Sequence, residues 1–203
     1  MARVNDSKQR LMDAANDLMW ESSYASTSVD AICDRAGVKK GSFYHFFESK
    51  SDLSVAALEV DWLTKKPELD AIFSPTVPPI ERIERYFKRA LDKQTALREK
   101  TGSVLGCALF TLGAEISTLN DDIRAKVEEI LGHHVNYLTS AVRDAQASQL
   151  IRPGNANEKA QTVFTCYQGT LTLARIQNDL EPLRRLPHQV LDLLGTQRET
   201  VAG

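Results

Sequence analysis

Apolar residues in this chain recur every three or four positions, and no run alternates with the two-residue period of a strand. Leu11, Ala14, Ala15, Leu18 and Met19 fall on one stripe and predict a first helix, capped at Asp6 or Ser7 and ending near Ser22-Ser23-Tyr24. Thr27 or Ser28 starts a second helix, with Asp30 placed to complete a box-like cap. Val29, Ile32 and Cys33 form its inner face, and Gly37 supplies the left-handed residue that closes it. A third short helix is expected from about Lys39 to Phe46. A fourth starts near Ser49-Lys50-Ser51-Asp52, carries Leu53, Ala56, Ala57 and Val60, and is limited by Pro67.

Beyond the loop Phe73-Ser74-Pro75-Thr76-Val77-Pro78-Pro79, a fifth helix is predicted over about 80–99, with Ile83, Tyr86, Phe87, Ala90 and Leu91 inward. Gly102 and Gly106 interrupt the chain, and a sixth helix covers about 106–117. Asn120-Asp121-Asp122 opens a long helix whose stripe runs from Ile123 through Val127, Ile130, Leu131, His134, Leu138, Ala141 and Val142 to Ala145. After the turn at 152–155 another long helix spans about 157–178, and a last one lies between Pro182 and Gly195. The expectation is an all-α protein with a small N-terminal segment, 1–48, and a larger helical one, 49–203.

Composition alters this picture little. Hydrophobic residues make up 42% of the 203 and charged residues 26%, ordinary values for a globular chain. No apolar run approaches the roughly 20 residues a membrane span needs. The start, MARVNDSKQR, lacks the apolar stretch of a secretory signal, so the expected location is cytoplasmic, with no membrane partner. Cys33, Cys107 and Cys166 are odd in number and widely spaced, which gives neither a disulfide framework nor a paired metal knuckle. The net charge of -2 argues at first against nucleic acid. Locally the sign reverses. Arg35, Lys39, Lys40 and Lys50 face only Glu48 between residues 35 and 50, and Arg3, Lys8 and Arg10 face only Asp6 in the first ten. A basic end binds phosphates at short range whatever the distant acids do.

Two short helices joined at a glycine, the second carrying Lys39, Lys40, Ser42, Tyr44 and His45, have the layout of a helix-turn-helix, which lays its second helix in the DNA major groove. The surrounding residues narrow this further. Leu11-x-x-Ala14-Ala15-x-x-Leu18, Thr27-Ser28-Val29-x-x-Ile32, Ala36-Gly37-Val38, Lys40-Gly41-Ser42-Phe43-Tyr44-His45-Phe46-Phe47 and Ser49-Lys50-x-x-Leu53 together closely resemble the DNA-binding domain of the tetracycline-repressor (TetR) family. The resemblance covers the N-terminal third. It implies a transcriptional regulator, not an enzyme, most often a homodimeric repressor on a palindromic double-stranded operator, released by a small-molecule inducer.

The residues read the same way without the name. Gly41 lets the backbone approach a groove. Ser42 is short enough to donate to a phosphate or a base edge, and Tyr44 and His45 to donate to phosphates while their rings pack. Phe43 and Phe46 are expected to pin the third helix to the first. Lys50 and the pair Thr27 and Ser28 offer phosphate contacts at helix starts. Lys39 stands where the family often has a serine or threonine cap. It is a candidate for guanine O6 or N7, or equally for one more phosphate. The alternative for Tyr44 and His45 is a half-buried aromatic and a structural histidine.

The resemblance also implies a four-helix dimer bundle, for which the helices at about 121–149 and 157–178 are candidates. Thr165, Cys166, Gly169, Thr170 and Ala174 are small enough for close approach. A ligand pocket is expected among Trp62, Phe87, Phe110, Tyr137, Phe164 and Tyr167, against the alternative that each is core. Cys107 follows Gly106 at a helix start, where free N–H groups and the dipole stabilise a thiolate, so it is either a sensor of electrophiles or oxidants or an inert thiol. No cofactor or metal is expected: Glu129 and His133 are four apart and could share a cation, but two ligands on one exposed face are ordinarily a solvated surface, and His133-His134 lacks the spacing of a zinc helix motif. Two rival readings are a small enzyme built on Cys107, His133 or His134 and Glu115, and a helical interaction protein that does not bind DNA.

Overall fold

The computed structural model describes residues 2–196, with side chains from Asp6 onward. The side chain of Arg3, counted in the basic end, and the outer limits 1 and 203 of the two segments lie outside the described residues. Among those residues the chain is all-helical: α1 Ala2–Glu21, α2 Val29–Ala36, α3 Lys40–Phe46, α4 Lys50–Ile72, α5 Pro79–Thr101, α6 Ala108–Ile116, α7 Asp121–Ala147, α8 Ala156–Gln177 and α9 Glu181–Leu194. No described helix is long and apolar enough to cross a membrane.

Two compact units result. The first comprises Met1–Lys65 and Cys107–Ile130; the second comprises Lys66–Gly106 and Leu131–Gly203. In the first, Leu11, Ala15, Ile32, Phe43, Leu53 and Ala57 are fully or almost fully buried in one core. The stripe of α1 thus meets the inner faces of α2, α3 and α4. In the second, Phe87, Leu69 and Ile83 are wholly or almost wholly buried, as are Leu138, Ala141 and Val142 of α7 and Leu186 and Val190 of α9.

Several local expectations shift. Helix α1 begins at Ala2, ahead of Asp6 and Ser7. Those two residues act inside it instead: Asp6 pairs with Arg10 at 3.3 Å and Ser7 accepts from Arg10 at 3.4 Å. Ser28, not Thr27, caps α2, its hydroxyl accepting from Ala31 N at 3.0 Å. Asp30 is then the second helical residue, too early to close a capping box, and its carboxylate pairs with Lys40 at 2.7 Å. Pro67 does not end α4, which continues to Ile72. The missing N–H and ring clash would cost about 3 kcal/mol in a free helix. Here that turn is flanked by i,i+4 ion pairs, Lys65 with Asp61 and Lys66 with Asp70, and is followed by buried Leu69 and Phe73.

Close approach fixes one glycine by size. A Cβ on Gly113 of α6 would stand 2.8 Å from Val127 Cγ1 of α7, whereas one on Gly132 would meet nothing within 4 Å. Gly113→Ala is therefore expected to destabilise the chain by about 1–3 kcal/mol, and Gly132→Ala to stabilise it by up to about 1 kcal/mol. Thermal unfolding of the two variants beside the wild type checks the opposite signs.

Candidate nucleic-acid interface

Helix α3 has seven residues, too few to hold itself together in water. Its place is set by aromatic anchors. Phe43 is fully buried and Phe47 nearly so, their rings 5.9 Å apart. Phe46, expected as the second anchor, is only partly buried. The reason is that Phe47 sits just past the helix in extended backbone, which turns its ring back toward Phe43. Gly37, at φ 61°, gives the left-handed residue between α2 and α3, and its N–H and that of Val38 close onto Asp34 O and Cys33 O.

With Phe43 inward, the opposite face of α3 is open. Tyr44 is 56% exposed, its ring edge-on to Phe43 at 5.1 Å. His45 is exposed and stands edge-on to Phe46. Gly41 would carry a Cβ into empty space. Ser42 is half-buried, and Ser28, Lys39 and Lys40 are exposed. Lys39 is the N-cap of α3 and makes no side-chain cap bond, as its chemistry requires. The Asp30 carboxylate holds the Lys40 ammonium and raises its pKa through a hydrogen bond and its charge. Arg35 turns away to Glu21 at 3.1 Å.

Two expected phosphate donors have other commitments. Thr27 is buried, and its hydroxyl donates to Ser23 O at 2.7 Å. Lys50 donates to Tyr24 O at 2.7 Å and Thr27 O at 2.8 Å, with its ammonium 4.0 Å from the Tyr24 ring centroid. Burial lowers its pKa. Lys50 satisfies carbonyls of the turn between α1 and α2 that no helix bonds, so it is a bracket for the motif. Glu115 of α6 accepts from the N–H groups of the same turn, a role its sequence context does not reveal.

The residues proposed for sensing divide between the units: Trp62, Cys107 and Phe110 lie in the first, and Phe87, Tyr137, Phe164 and Tyr167 in the second. The second set belongs to one aromatic cluster, completed by Phe73, Tyr86 and His134. Tyr86 contacts Phe87, Tyr167 and Phe73, Tyr167 contacts Phe164, and Phe73 lies tilted against Tyr137. Tyr86 Oη lies 3.0 Å from His134 Nδ1. Tyr137 donates to Asp70, and burial with that carboxylate pushes its pKa up to about 12. Phe87, Phe164 and Trp62 are buried, and Phe110 is exposed. Gln168, on the buried stripe of α8 with Phe164 and Leu171, has a buried Oε1 without a hydrogen-bond partner. Such an orphan acceptor cannot be read from sequence.

Cys107 is the N-cap of α6, and its Sγ accepts from Phe110 N at 3.4 Å. The segment before it is fixed within the second unit. Gln94, itself buried, accepts from Leu105 N and Gly106 N and donates to Gly106 O at 2.9 Å. Arg175 donates to Leu105 O, and Asn178 accepts from Val104 N. Gly106, at φ 69°, permits this path. Cys33 is buried, and burial followed by Asp30 and Asp34 raises its pKa, in keeping with a core thiol. No group of three metal-ligating side chains occurs among the described residues.

Comparison with known proteins agrees with this geometry. The family model for bacterial regulatory proteins of the tetR family matches residues 11–57, and one for the C-terminal domain of LmrA/YxaF-like transcriptional regulators matches residues 79–189. The transcriptional regulator AcuR of Cereibacter sphaeroides is 29% identical over 177 residues, covering 86% of this chain and 79% of its own. The transcriptional repressor NemR of Escherichia coli is 23% identical, covering 95% and 96%. The crystal structure of its reduced form superposes with a TM-score of 0.83 at 24% identity, over 95% and 98% of the two chains. A regulatory protein TetR from Rhodobacter sphaeroides gives 0.81 at 26% identity, over 91% and 97%.

The two lysines are separable by salt. For a DNA duplex selected by the wild type, Lys50→Met should weaken binding without changing the slope of log K against log salt, because its partners are internal carbonyls. Lys39→Ala should reduce the magnitude of that slope by roughly 0.9 if Lys39 neutralises a phosphate, and leave the slope while relaxing base preference if it reads a base. Anisotropy titrations at several salt concentrations make the measurement.

Proposed function

Since the chain belongs to the TetR family of bacterial regulatory proteins, we propose that it acts as a homodimeric transcriptional repressor, released from a palindromic operator by a small-molecule inducer or by modification of a cysteine. The observation that carries the DNA-reading part is the open face of α3 backed by wholly buried Phe43. Lys39, Ser42, Tyr44 and His45 stand there beside Lys40 and the bare backbone at Gly41, with Ser28 at the start of α2. Tyr44, His45, Ser42 and Ser28 serve phosphates, while Lys39 serves a base edge or one more phosphate. Lys40 must leave Asp30 to join them.

A second copy would seat on α8 and α9. Gly169, Leu173 and Ile176 share one stripe of α8, where Leu173 is exposed and Ile176 is 76% exposed, and Leu193 of α9 is exposed too. Gly169 has open space at its Cβ position. The expected pair is α7 with α8; the burial of the apolar stripe of α7 within the chain supports α9 in its place. Two-fold pairing of such a surface would set two α3 helices on successive turns of a palindrome.

For release, the second unit offers an aromatic cluster with one unsatisfied acceptor, Gln168 Oε1. An inducer with an aromatic or alkyl body and one N–H or O–H donor suits that chemistry. The cysteine route rests on Cys107, half-exposed at the head of α6.

The DNA-reading part is tested by combining Lys39→Ala with Tyr44→Phe, which should lower affinity for the selected duplex at least 100-fold while circular dichroism is unchanged. Undiminished binding would remove α3 as the reading helix. For the thiol, N-ethylmaleimide is the probe: the Cys107 thiolate adds across its double bond, forming a thioether as the adjacent carbon takes a proton. Treatment should weaken operator binding by the wild type about tenfold or more and leave Cys107→Ser unaffected. A Cys107→Ser protein that still responds would exclude this residue.

A further inference from the structure

The turn between α1 and α2 is held between opposite charges. On one side Glu115 accepts from two successive backbone N–H groups, Oε2 from Tyr24 at 2.9 Å and Oε1 from Ala25 at 2.8 Å. On the other, Lys50 donates to the carbonyls of Tyr24 and Thr27 at 2.7 and 2.8 Å, with its ammonium over the Tyr24 ring. Successive N–H groups of a turn form a concave anion site, and here the anion is a side chain of the same protein. The turn leads straight into Ser28, the cap of α2, and α2 carries α3 through Gly37.

Glu115 is one residue from the C-terminal end of α6, and Cys107 caps the other end. Eight residue steps along α6 lead from one to the other, a rise of about 12 Å along one rigid element. The connector 102–106 that leads into α6 is bonded by Gln94, Arg175 and Asn178. A shift of about 1 Å in α6 would carry both Glu115 contacts past hydrogen-bonding distance.

We propose that Glu115 is a positioning residue for DNA recognition: its carboxylate, working against Lys50, holds the α1–α2 turn so that α2 and α3 stand in their reading arrangement, and it is the point at which α6 acts on them. The proposal rests on the chain being a DNA-binding regulator, and deepens that reading by naming the joint between reading head and sensor. Glu115 touches no DNA in this account. Its loss lowers affinity without removing a phosphate contact, which separates it from Lys39 and Tyr44. The two side chains also act on one turn, so their losses overlap instead of adding.

The test uses the full chain and the duplex that the wild type selects from a random pool. Glu115→Ala and Glu115→Gln are each expected to bind at least tenfold more weakly at an unchanged salt slope. Gln fails as well because its NH2 faces one of the two N–H donors. Glu115→Asp should recover part of the loss, and Glu115→Gln with Lys50→Met should be little weaker than the worse single variant. Amide hydrogen exchange on the free proteins should rise in residues 24–42 of Glu115→Gln and stay unchanged in α8 and α9. Wild-type affinity in Glu115→Gln overturns the proposal. So does a changed salt slope, or an exchange increase spread over the whole chain. If the wild type enriches no duplex, the regulator reading itself fails, and the exchange pattern still decides whether Glu115 holds α2 and α3.

Discussion

The constraint on which the rest of the reading head depends is the brevity of α3. Helices shorter than about 12–15 residues are marginal in water even with favourable sequences. A seven-residue helix therefore exists only through what it packs on. Phe43, with no exposed surface, and Phe47 give it that support against a core formed by Leu11, Ala15, Ile32 and Leu53. Because the anchors lie on one face, the polar residues of the other are presented outward as a fixed set. The anchoring that makes α3 a helix is what fixes its polar face outward.

Electrostatics then distributes work among charges that look alike in the sequence. Lys39, Lys40, Lys50 and Arg35 all contribute to the basic stretch, yet their surroundings differ. Lys50 is half-buried against two carbonyls and a ring, Arg35 is tied to Glu21, Lys40 is lightly held by Asp30, and Lys39 makes no cap bond. Exposed pairs such as Lys40 with Asp30 contribute little stability, so a phosphate can displace them. The half-buried bracket of Lys50 is worth more where it is. The acidic net charge does not oppose DNA binding, because the short screening length makes the local balance decisive.

Much of this was legible in the chain. The 3.6-residue period located the described helices, and Gly37, Asn120 and the turn at 152–155 marked ends that the structure places within a residue or two. The resemblance around Lys40–Phe47 pointed to the family that the comparisons establish. Three kinds of feature were not legible. Pro67 stops a helix on propensity, and only its ion pairs and the buried residues beyond it show why α4 continues. Thr27 and Lys50 have the chemistry of phosphate ligands, and only three-dimensional placement shows that their donors are already committed. Glu115 lies 90 residues from the backbone it holds, a separation no local pattern can report. An apolar stripe such as that of α7 also does not reveal that the chain itself covers it.

On this reading the outward face of α3 enters the DNA major groove, twice per dimer. Methylation interference on the duplex selected by the wild type tests it most directly. Methyl groups on guanine N7, in the major groove, should block binding at two symmetric sites about 10 base pairs, or about 34 Å, apart. Interference confined to adenine N3 in the minor groove, or no enriched sequence at all, would contradict the account.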